Sequence, residues 1–115
     1  MITRIIPYAG GRDLDASRDF YVDVLGLEVT MTDPVLGLRS PDTPAAQVIV
    51  TPPGTPSADL GIDVGTPAAV DQAHAEVRRR GLRVTYPLTD EPWGVRRFFV
   101  EDPGGTVVNV LAHLS

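Results

Sequence analysis

Two short stretches, GLEV at residues 26–29 and GLRV at residues 81–84, stand at corresponding points of a sequence repeat. Each follows apolar residues at helical spacing and opens a strand-like run, and its glycine is typical of the residue that ends a helix. Around both stretches the order is strand, capped helix, glycine and three strands, at an offset of about 55 residues. Because a repeat constrains a fold more than any single motif does, the sequence predicts two tandem βαβββ modules.

The first module is predicted to begin with a strand over residues 4–10 and a helix whose N-cap is Asp13. Phe20, Tyr21 and Leu25 recur at helical spacing and are expected to pack this helix onto the sheet. Further strands are predicted over residues 27–32, 35–39 and 46–51.

The second module is predicted to open with a strand over residues 58–64, in which apolar and polar residues alternate. Asp59, Gly61 and Asp63 share one face of this strand. The threonine–proline pair at residues 66–67 is typical of a helix start. The remaining strands are predicted over residues 82–87, 95–101 and 106–113, with turns at 90–94 and 102–105.

The chain is therefore divided into module one (residues 1–52), a linker (53–57) and module two (58–115), all within a single domain. One module alone would leave a face of its sheet bare, so the two modules are expected to associate. The predicted fold is α+β, with two tandem βαβββ modules forming a curved mixed sheet around a cleft and helices on the outer face.

The composition narrows the function classes. The 115 residues include no cysteine, which excludes disulfides, thiolate metal sites and cysteine nucleophiles. A net charge of −5, from 15 acidic and 10 basic residues, disfavours nucleic acid as a partner. No apolar run reaches the length that spans a membrane, so we expect no membrane partner and a cytoplasmic location.

Two groups of motifs resemble a known superfamily. RDLDAS at residues 12–17, followed by Phe20-Tyr21 and Leu25-Gly26-Leu27, resembles the first helix of the glyoxalase, bleomycin-resistance and ring-cleaving dioxygenase proteins, the vicinal-oxygen-chelate superfamily. Residues 92–94 (PWG) and 102–105 (DPGG) resemble the closing hairpin of its bleomycin-resistance branch. That branch implies a homodimer that holds an antibiotic-like small molecule between its two chains without transforming it.

The resemblance also implies where a metal would bind. The superfamily's enzymes typically hold a divalent metal with His, Glu or Gln side chains, one at each of four equivalent strand positions. In this sequence those positions fall on Ile6, near Gln47, on Asp59 and on Asn109. This set has one carboxylate and no imidazole, whereas tight zinc or iron sites use histidine or several carboxylates. We therefore expect no resident cofactor, with a weakly bound magnesium or manganese ion as the alternative.

Three other titratable residues were considered for chemistry. His74 is placed in the middle of the second predicted helix, on or near its solvated face. His113 lies on the strand face of Asn109, near the chain end. Asp59 and Asp63 share a strand face, an arrangement that is expected to raise the pKa of one of them.

The predicted cleft is better supplied for binding than for reaction. Ligand sites are concave and largely apolar with a few placed polar groups, and aromatic rings stack on planar ligands. One of Phe98 and Phe99 must face inward. Arg96 and Arg97 point to opposite faces, so one of them is expected either to meet a carboxylate or to pair with Asp63. The candidate ligand-binding residues are Tyr8, Gln47, Asp59, Trp93, Phe98 and Asn109.

Three hypotheses follow. The first is a metal-independent protein that binds or sequesters a small molecule, such as an aromatic or cationic compound. The second is a divalent-metal-dependent lyase, isomerase or dioxygenase with atypical ligands, for which Asp59 and His113 are the best candidates. The third is a domain whose cleft has lost its ligand and serves as a structural or partner-binding module.

Overall fold

The computed structural model describes residues 1–115 and contains the elements that the sequence repeat predicts. The strands are β1 (Arg4–Gly10), β2 (Glu28–Met31), β3 (Leu36–Arg39), β4 (Gln47–Thr51), β5 (Leu60–Asp63), β6 (Val84–Glu91), β7 (Val95–Glu101) and β8 (Val107–His113). The helices are α1 (Leu14–Arg18), a π-helical segment (Asp19–Val24) and α2 (Pro67–Arg79). The predicted α+β class with two βαβββ repeats is confirmed. Neither α-helix has the length and apolar character needed to cross a membrane.

The residues group into two compact units. The first unit is Ile6–Ser57, and the second is Ala58–Ser115 together with Met1–Ile5. The second unit therefore begins where the proline-rich stretch ends, but it also includes the start of the chain. Backbone hydrogen bonding accounts for this grouping, because the Thr3 N–H donates to the carbonyl of Asp63 at 2.8 Å.

The sheet of the first unit has the strand order β2-β3-β4-β1. The β2–β3 and β3–β4 pairs are antiparallel, and β1 runs parallel to β4. The core of this unit is formed by Leu36, Leu38 and Val50, which are almost fully buried. Side chains of the helical segment, including Leu14, Tyr21 and Val22, pack against these residues.

The helical segment of the first unit differs from the prediction. Asp13 caps α1 as expected, since its Oδ1 accepts hydrogen bonds from the N–H groups of Asp15 and Ala16 at 3.0 and 3.2 Å. After Arg18 the helix widens to π geometry, which turns Phe20 and Leu25 outward instead of onto the sheet. The expectation that these two residues pack the helix onto the sheet was wrong; Tyr21 takes that role.

The sheet of the second unit has the order β5-β8-β7-β6, with β5 parallel to β8 and the other pairs antiparallel. Helix α2 covers one face, and its N-cap Thr66 accepts a hydrogen bond from the Ala69 N–H at 3.1 Å. The buried cluster beneath the helix consists of Val70, Phe98, Val100, Val110 and Ala112. Burial of a side chain of this kind contributes about 1.5–3 kcal/mol, so this cluster holds α2 on the sheet.

Strand β6 is longer than predicted. The expected turn over residues 90–94 is shortened, because β6 continues to Glu91 and only Pro92–Gly94 remain outside the strands. The N–H of Gly94 donates to the Glu91 carbonyl at 3.0 Å, and the positive φ of Gly94, 87°, suits a glycine. The extension places Glu91 in register with Val95 and Thr89 with Arg97, so both of these β6 side chains lie on the same sheet face as Arg97.

Candidate binding site on the distal face of the second unit

The side of the β5-β8-β7-β6 sheet that points away from α2, here called the distal face, carries Asp63, Arg97, Phe99 and Asn109. Alternation along the strands assigns residues to this face, and the register gives their neighbours. Asn109 faces Gly61 on β5 and Phe99 on β7, while Leu111 faces Asp63 and Arg97. The predicted sharing of a face by Asp63, Asn109 and His113 agrees with this register.

An arginine surrounded by aromatic rings occupies the β6–β7 end of the distal face. The guanidinium carbon of Arg97 lies 5.0 Å from the ring centres of Tyr86 and Phe99 and 5.2 Å from that of Trp93. The fifth member of the group, Glu91, accepts a hydrogen bond from Arg97 Nε at 2.9 Å through its Oε2, which also forms an ion pair with Arg97 Nη2 at 2.6 Å. We call these residues the arginine box.

The arginine box is held rigidly. The hydroxyl of Tyr86 donates to both carboxylate oxygens of Glu91, at 3.0 and 3.2 Å, and its ring lies 4.8 Å from that of Phe99. The side chains of Arg97 and Glu91 are only 14% and 7% exposed. Cation–π contacts contribute about 0.5–2 kcal/mol each, and a buried ion pair is stable only when its hydrogen bonds are satisfied, as those of Glu91 are.

All members of the box except Trp93 belong to strands β6 and β7, and Trp93 lies in the turn that joins them. Trp93 is a predicted site residue, whereas Tyr86 and Glu91 are not. A signal for Arg97 was present, since the alternation of β7 gives it the face of Phe99 and one of the two arginines was expected to meet a carboxylate. That carboxylate is Glu91, because β6 extends beyond its predicted end.

A second charged cluster lies at the β5–β8 side of the same face. Asp63 Oδ2 accepts a hydrogen bond from Arg4 Nε at 2.9 Å, and Oδ1 accepts one from the Gly65 N–H at 3.0 Å. Arg4 Nη2 lies 3.0 Å from His113 Nε2, which must accept because a guanidinium has no acceptor atom. The predicted pairing of Asp63 with an arginine of β7 is thus replaced by a pairing with Arg4.

The pKa of Asp63 is lowered, so Asp63 is not an aspartate whose pKa is raised by a like-charged neighbour on its strand face. Burial raises it, but the hydrogen bonds from Arg4 and Gly65 and the charge of Arg4 outweigh burial and hold the pKa below its ordinary value of 3.8. Asp59 lies at the opposite end of the strand, and its carboxylate is engaged elsewhere. Its Oδ2 accepts a hydrogen bond from the Val107 N–H at 2.8 Å.

The strand registers refine the four positions at which the superfamily's metal would bind. Tyr8 faces Ile49 in the first unit, and Gly61 faces Asn109 in the second. Tyr8 follows Ile6 by two residues, as Gly61 follows Asp59. The counterpart of Asn109 is therefore Ile49, whereas Gln47 lies two residues earlier and donates to the Pro44 carbonyl at 3.1 Å.

The refined positions hold two isoleucines, one carboxylate and one amide: Ile6, Ile49, Asp59 and Asn109. No three His, Asp or Glu side chains come together anywhere in the chain in a way that would hold a metal ion. Because a divalent metal needs several oxygen or nitrogen donors, this donor set does not fit the group that the superfamily's enzymes use.

Asp59 and His113, the candidates for an atypical metal site, are not brought together. Asp59 is hydrogen-bonded to Val107 at the start of β8, through Asp59 N–H to the Val107 carbonyl at 2.8 Å. His113 is the last residue of β8, so the two are separated by about 20 Å along the strand at about 3.3 Å per residue.

The other predicted site residues are distributed as follows. Phe98 is fully buried under α2, where its ring meets that of His74 edge-on at 4.9 Å. Phe98 is therefore a core residue, and Phe99 is the phenylalanine on the distal face. His74, expected near the solvated face of its helix, packs against this core instead. Tyr8 and Gln47 are both half-buried in the first unit.

A family model described as the glyoxalase/bleomycin resistance protein/dioxygenase superfamily matches residues 8–110 of the chain. No curated protein matches. Among solved structures, a protein from Legionella pneumophila described as an NAD-dependent benzaldehyde dehydrogenase is 14% identical, with a TM-score of 0.77 over 95% of this chain and 98% of its own. A superfamily member from Vibrio splendidus 12B01 is 17% identical, with a TM-score of 0.68 over 97% and 99% of the two chains. At these identities the likeness shows the fold alone.

A variant of homoprotocatechuate 2,3-dioxygenase from Brevibacterium fuscum is 30% identical, with a TM-score of 0.73. The match covers 99% of this chain but 33% of that one, so the chain spans about a third of the dioxygenase. These comparisons do not distinguish the bleomycin-resistance branch from the others. They agree with the repeat, the strand order and the motifs at the coarser level: the chain belongs to the glyoxalase/bleomycin resistance protein/dioxygenase superfamily.

Proposed function

We propose that this protein binds a small planar molecule at the arginine box and that binding requires no metal ion. The observation that carries the proposal is the arginine of β7, fixed among three aromatic rings and a buried carboxylate. A core residue has no need of a guanidinium, which is expensive to bury, and a surface arginine is seldom held so firmly.

Two properties of the box support binding. Its polar groups are already placed, so a ligand does not need to order them, which lowers the entropic cost of association. Trp93 is half exposed, at 50%, and lies against Arg97, so one aromatic surface is accessible from solvent next to a fixed cation. Planar ligands bind well to such a combination of ring faces and a few oriented polar groups.

The proposal that no metal is needed rests on the chemistry of the donor set. Of the four positions, only Asp59 carries a charge, and its carboxylate is engaged by a backbone N–H. Ligand recognition is therefore assigned to the arginine box, which lies on strands β6 and β7 and not at these positions.

The test uses Trp93, the only tryptophan of the chain, as the reporter. Purified protein is analysed for bound metals, divided into untreated and EDTA-treated portions, and titrated with a panel of planar aromatic compounds. A saturable change in Trp93 fluorescence with at least one compound, of equal affinity in both portions, is expected. Near-stoichiometric metal whose removal abolishes binding would refute the proposal, and so would a panel without any binder.

A matched pair of variants locates the site. Arg97→Gln is expected to weaken binding, whereas Arg96→Gln is the control. Arg96 lies on the same strand but on the helix side, where it pairs with Asp71 at 2.9 Å and Asp90 at 2.7 Å. Equal loss of affinity in both variants would mean that the ligand does not bind at the box.

A second candidate function, a metal-dependent enzyme, is favoured by one observation, the 30% identity to a segment of a ring-cleaving dioxygenase. This alternative requires turnover that depends on added divalent metal and is lost in Asp59→Ala. The binding function requires that the same variant retain its ligand affinity. The Asp59→Ala protein therefore separates the two candidates.

A further inference from the structure

We infer that the ligand of the arginine box is a planar aromatic compound bearing a carboxylate, which accepts hydrogen bonds from Nη1 of Arg97. This inference rests on the proposed function and adds the chemical class of the ligand. Its basis is the set of N–H donors on Arg97 that have no acceptor within the chain.

A guanidinium carries five N–H donors, of which Nη1 supplies two. The contacts of Arg97 with Glu91 use Nε and Nη2. The chain supplies no acceptor for Nη1, and this atom is not sealed from solvent. Because the rest of the guanidinium is fixed, the direction of the Nη1 donors is fixed as well, and a carboxylate is the group that a guanidinium edge binds best.

The positive charge of Arg97 favours a ligand of negative charge. Three aromatic faces and a buried carboxylate form an environment that attracts cations. Here that environment is filled by Arg97, since its guanidinium carbon lies 5.0–5.2 Å from all three ring centres. A cationic ligand would have to displace Arg97 from Glu91 or approach a like charge. The cationic compounds considered from the sequence are therefore disfavoured, and an anion is favoured.

The accessible ring defines the shape of the ligand. Trp93 is the exposed aromatic member, while Phe99 is buried and Tyr86 is partly buried. A flat ligand that packs against the exposed part of the indole lies next to the guanidinium, because Arg97 contacts the same ring at 5.2 Å. An aliphatic acid would gain the charged contact without the stacking, and an uncharged arene would gain only the stacking.

The experiment compares three probes of one shape: naphthalene-2-carboxylate, naphthalene-2-carboxamide and trimethyl(2-naphthylmethyl)ammonium. Binding is followed through the indole N–H signal of Trp93 in nitrogen-15 NMR spectra and by calorimetry. We expect the carboxylate to bind at least about tenfold more tightly than the amide, as a charge-assisted hydrogen bond implies, and the cation to bind most weakly. An amide or cation that binds as tightly as the carboxylate overturns the inference.

Variants test whether Arg97 is the source of the preference. The double variant Glu91→Gln/Arg97→Gln leaves no buried charge unpaired, so it is expected to remain folded where Arg97→Gln alone is at risk. In the double variant the roughly tenfold preference should vanish, whereas Arg96→Gln should retain it. A preference that persists in the double variant overturns the inference.

The failure of this inference is distinguishable from the failure of the proposed function. Binding of the amide or the cation at the Trp93 signal, without preference for the carboxylate, leaves a small-molecule site but removes the assigned ligand class. Binding of none of the three probes, or of any other planar compound, removes the proposed function itself.

Discussion

Strands β3 and β7 occupy corresponding places in the two units; their buried side chains are apolar on the helix side of both, whereas the side chains on the other face differ in chemical type. The register makes Gly37 the counterpart of Phe99, since the former faces Ile49 and the latter Asn109. On the helix side both units carry buried apolar residues at matching positions: Leu36 with Phe98, Leu38 with Val100, and Val50 with Val110. On the other side Gly37 corresponds to Phe99, Ile49 to Asn109 and Val35 to Arg97.

The two faces of the repeated sheet are therefore under different structural requirements. The helix side must bury apolar area in both units, so its residue type is the same. The distal face has no such demand, and only the second unit carries an arginine box there. Both units therefore have the same topology, but only the second carries the candidate site. Substitutions on the two faces should therefore have different effects, which are given from the largest expected to the smallest.

Phe98→Ala is expected to lower the free energy of unfolding by about 3–5 kcal/mol, because it opens a cavity under α2. Phe99→Ala, on the other face, should cost less stability and should weaken binding of a planar ligand. Urea denaturation and ligand titration of both variants measure the two effects. A larger loss of stability in Phe99→Ala than in Phe98→Ala would contradict the assignment of faces.

Glu91→Gln is expected to lower the free energy of unfolding by about 3 kcal/mol, because it leaves the guanidinium of Arg97 poorly compensated. The double variant Glu91→Gln/Arg97→Gln should be more stable than Glu91→Gln alone, since both charges are then absent. A double-mutant cycle by chemical denaturation checks this. Additive losses would show that the two charges do not depend on each other.

Gly37→Ala is expected to destabilise the protein by about 1–3 kcal/mol, as overpacking usually does. A Cβ at this position would lie 2.6 Å from Thr30 Oγ1 and 3.2 Å from Met31 Cβ. The companion substitution Thr30→Ala removes the closest of these atoms and should restore part of the loss. If Gly37→Ala alone is neutral in thermal unfolding, then the first unit has room for a side chain where the second has Phe99.

Asp63 is expected to give the smallest effect, which depends on pH. Its pKa in the folded protein lies below the ordinary 3.8, because the hydrogen bonds from Arg4 and Gly65 outweigh burial. A lowered pKa stabilises the folded state at pH values above the pKa of the unfolded state. This contribution is lost as the pH falls from about 4 through the pKa of the folded state. The stability difference between the native protein and Asp63→Asn should therefore shrink with acidification over that range. A difference that grows instead would mean that the pKa of Asp63 is raised.

The repeat and the turn chemistry were sufficient to predict the order of the elements. Asp13 and Thr66 cap the predicted helices, and the face of β5 that carries Asp63 and the face of β8 that carries Asn109 each follow from alternation along that strand. These features are local, because they depend on residues within a few positions of each other. The outward turn of Phe20 and Leu25 was not predictable in this way, since π-helical geometry changes the angular spacing of the side chains.

The candidate site was predicted only in part. Trp93 was predicted because it is an aromatic residue of the hairpin before β7. Alternation alone does not say which of two adjacent phenylalanines faces the site, and the residue named, Phe98, is the one in the core. Glu91 was assigned to a turn, and its role depends on how far β6 continues, which is settled by pairing with β7. The pairing of Asp63 with Arg4 joins residues 59 positions apart in sequence, a distance over which no local pattern is informative.

The confinement of the arginine box to residues 86–99 has a consequence for how this protein can diversify. A single hairpin holds the cation, its counter-ion and all three rings, so exchanging its distal-face residues while Phe98 is kept is expected to change ligand preference without disturbing the core under α2. Natural variation in ligand choice among related chains is then expected to concentrate in this hairpin. The distal-face positions of this hairpin are the ones to randomise in a library that seeks new ligands, with Phe98 kept to preserve the core.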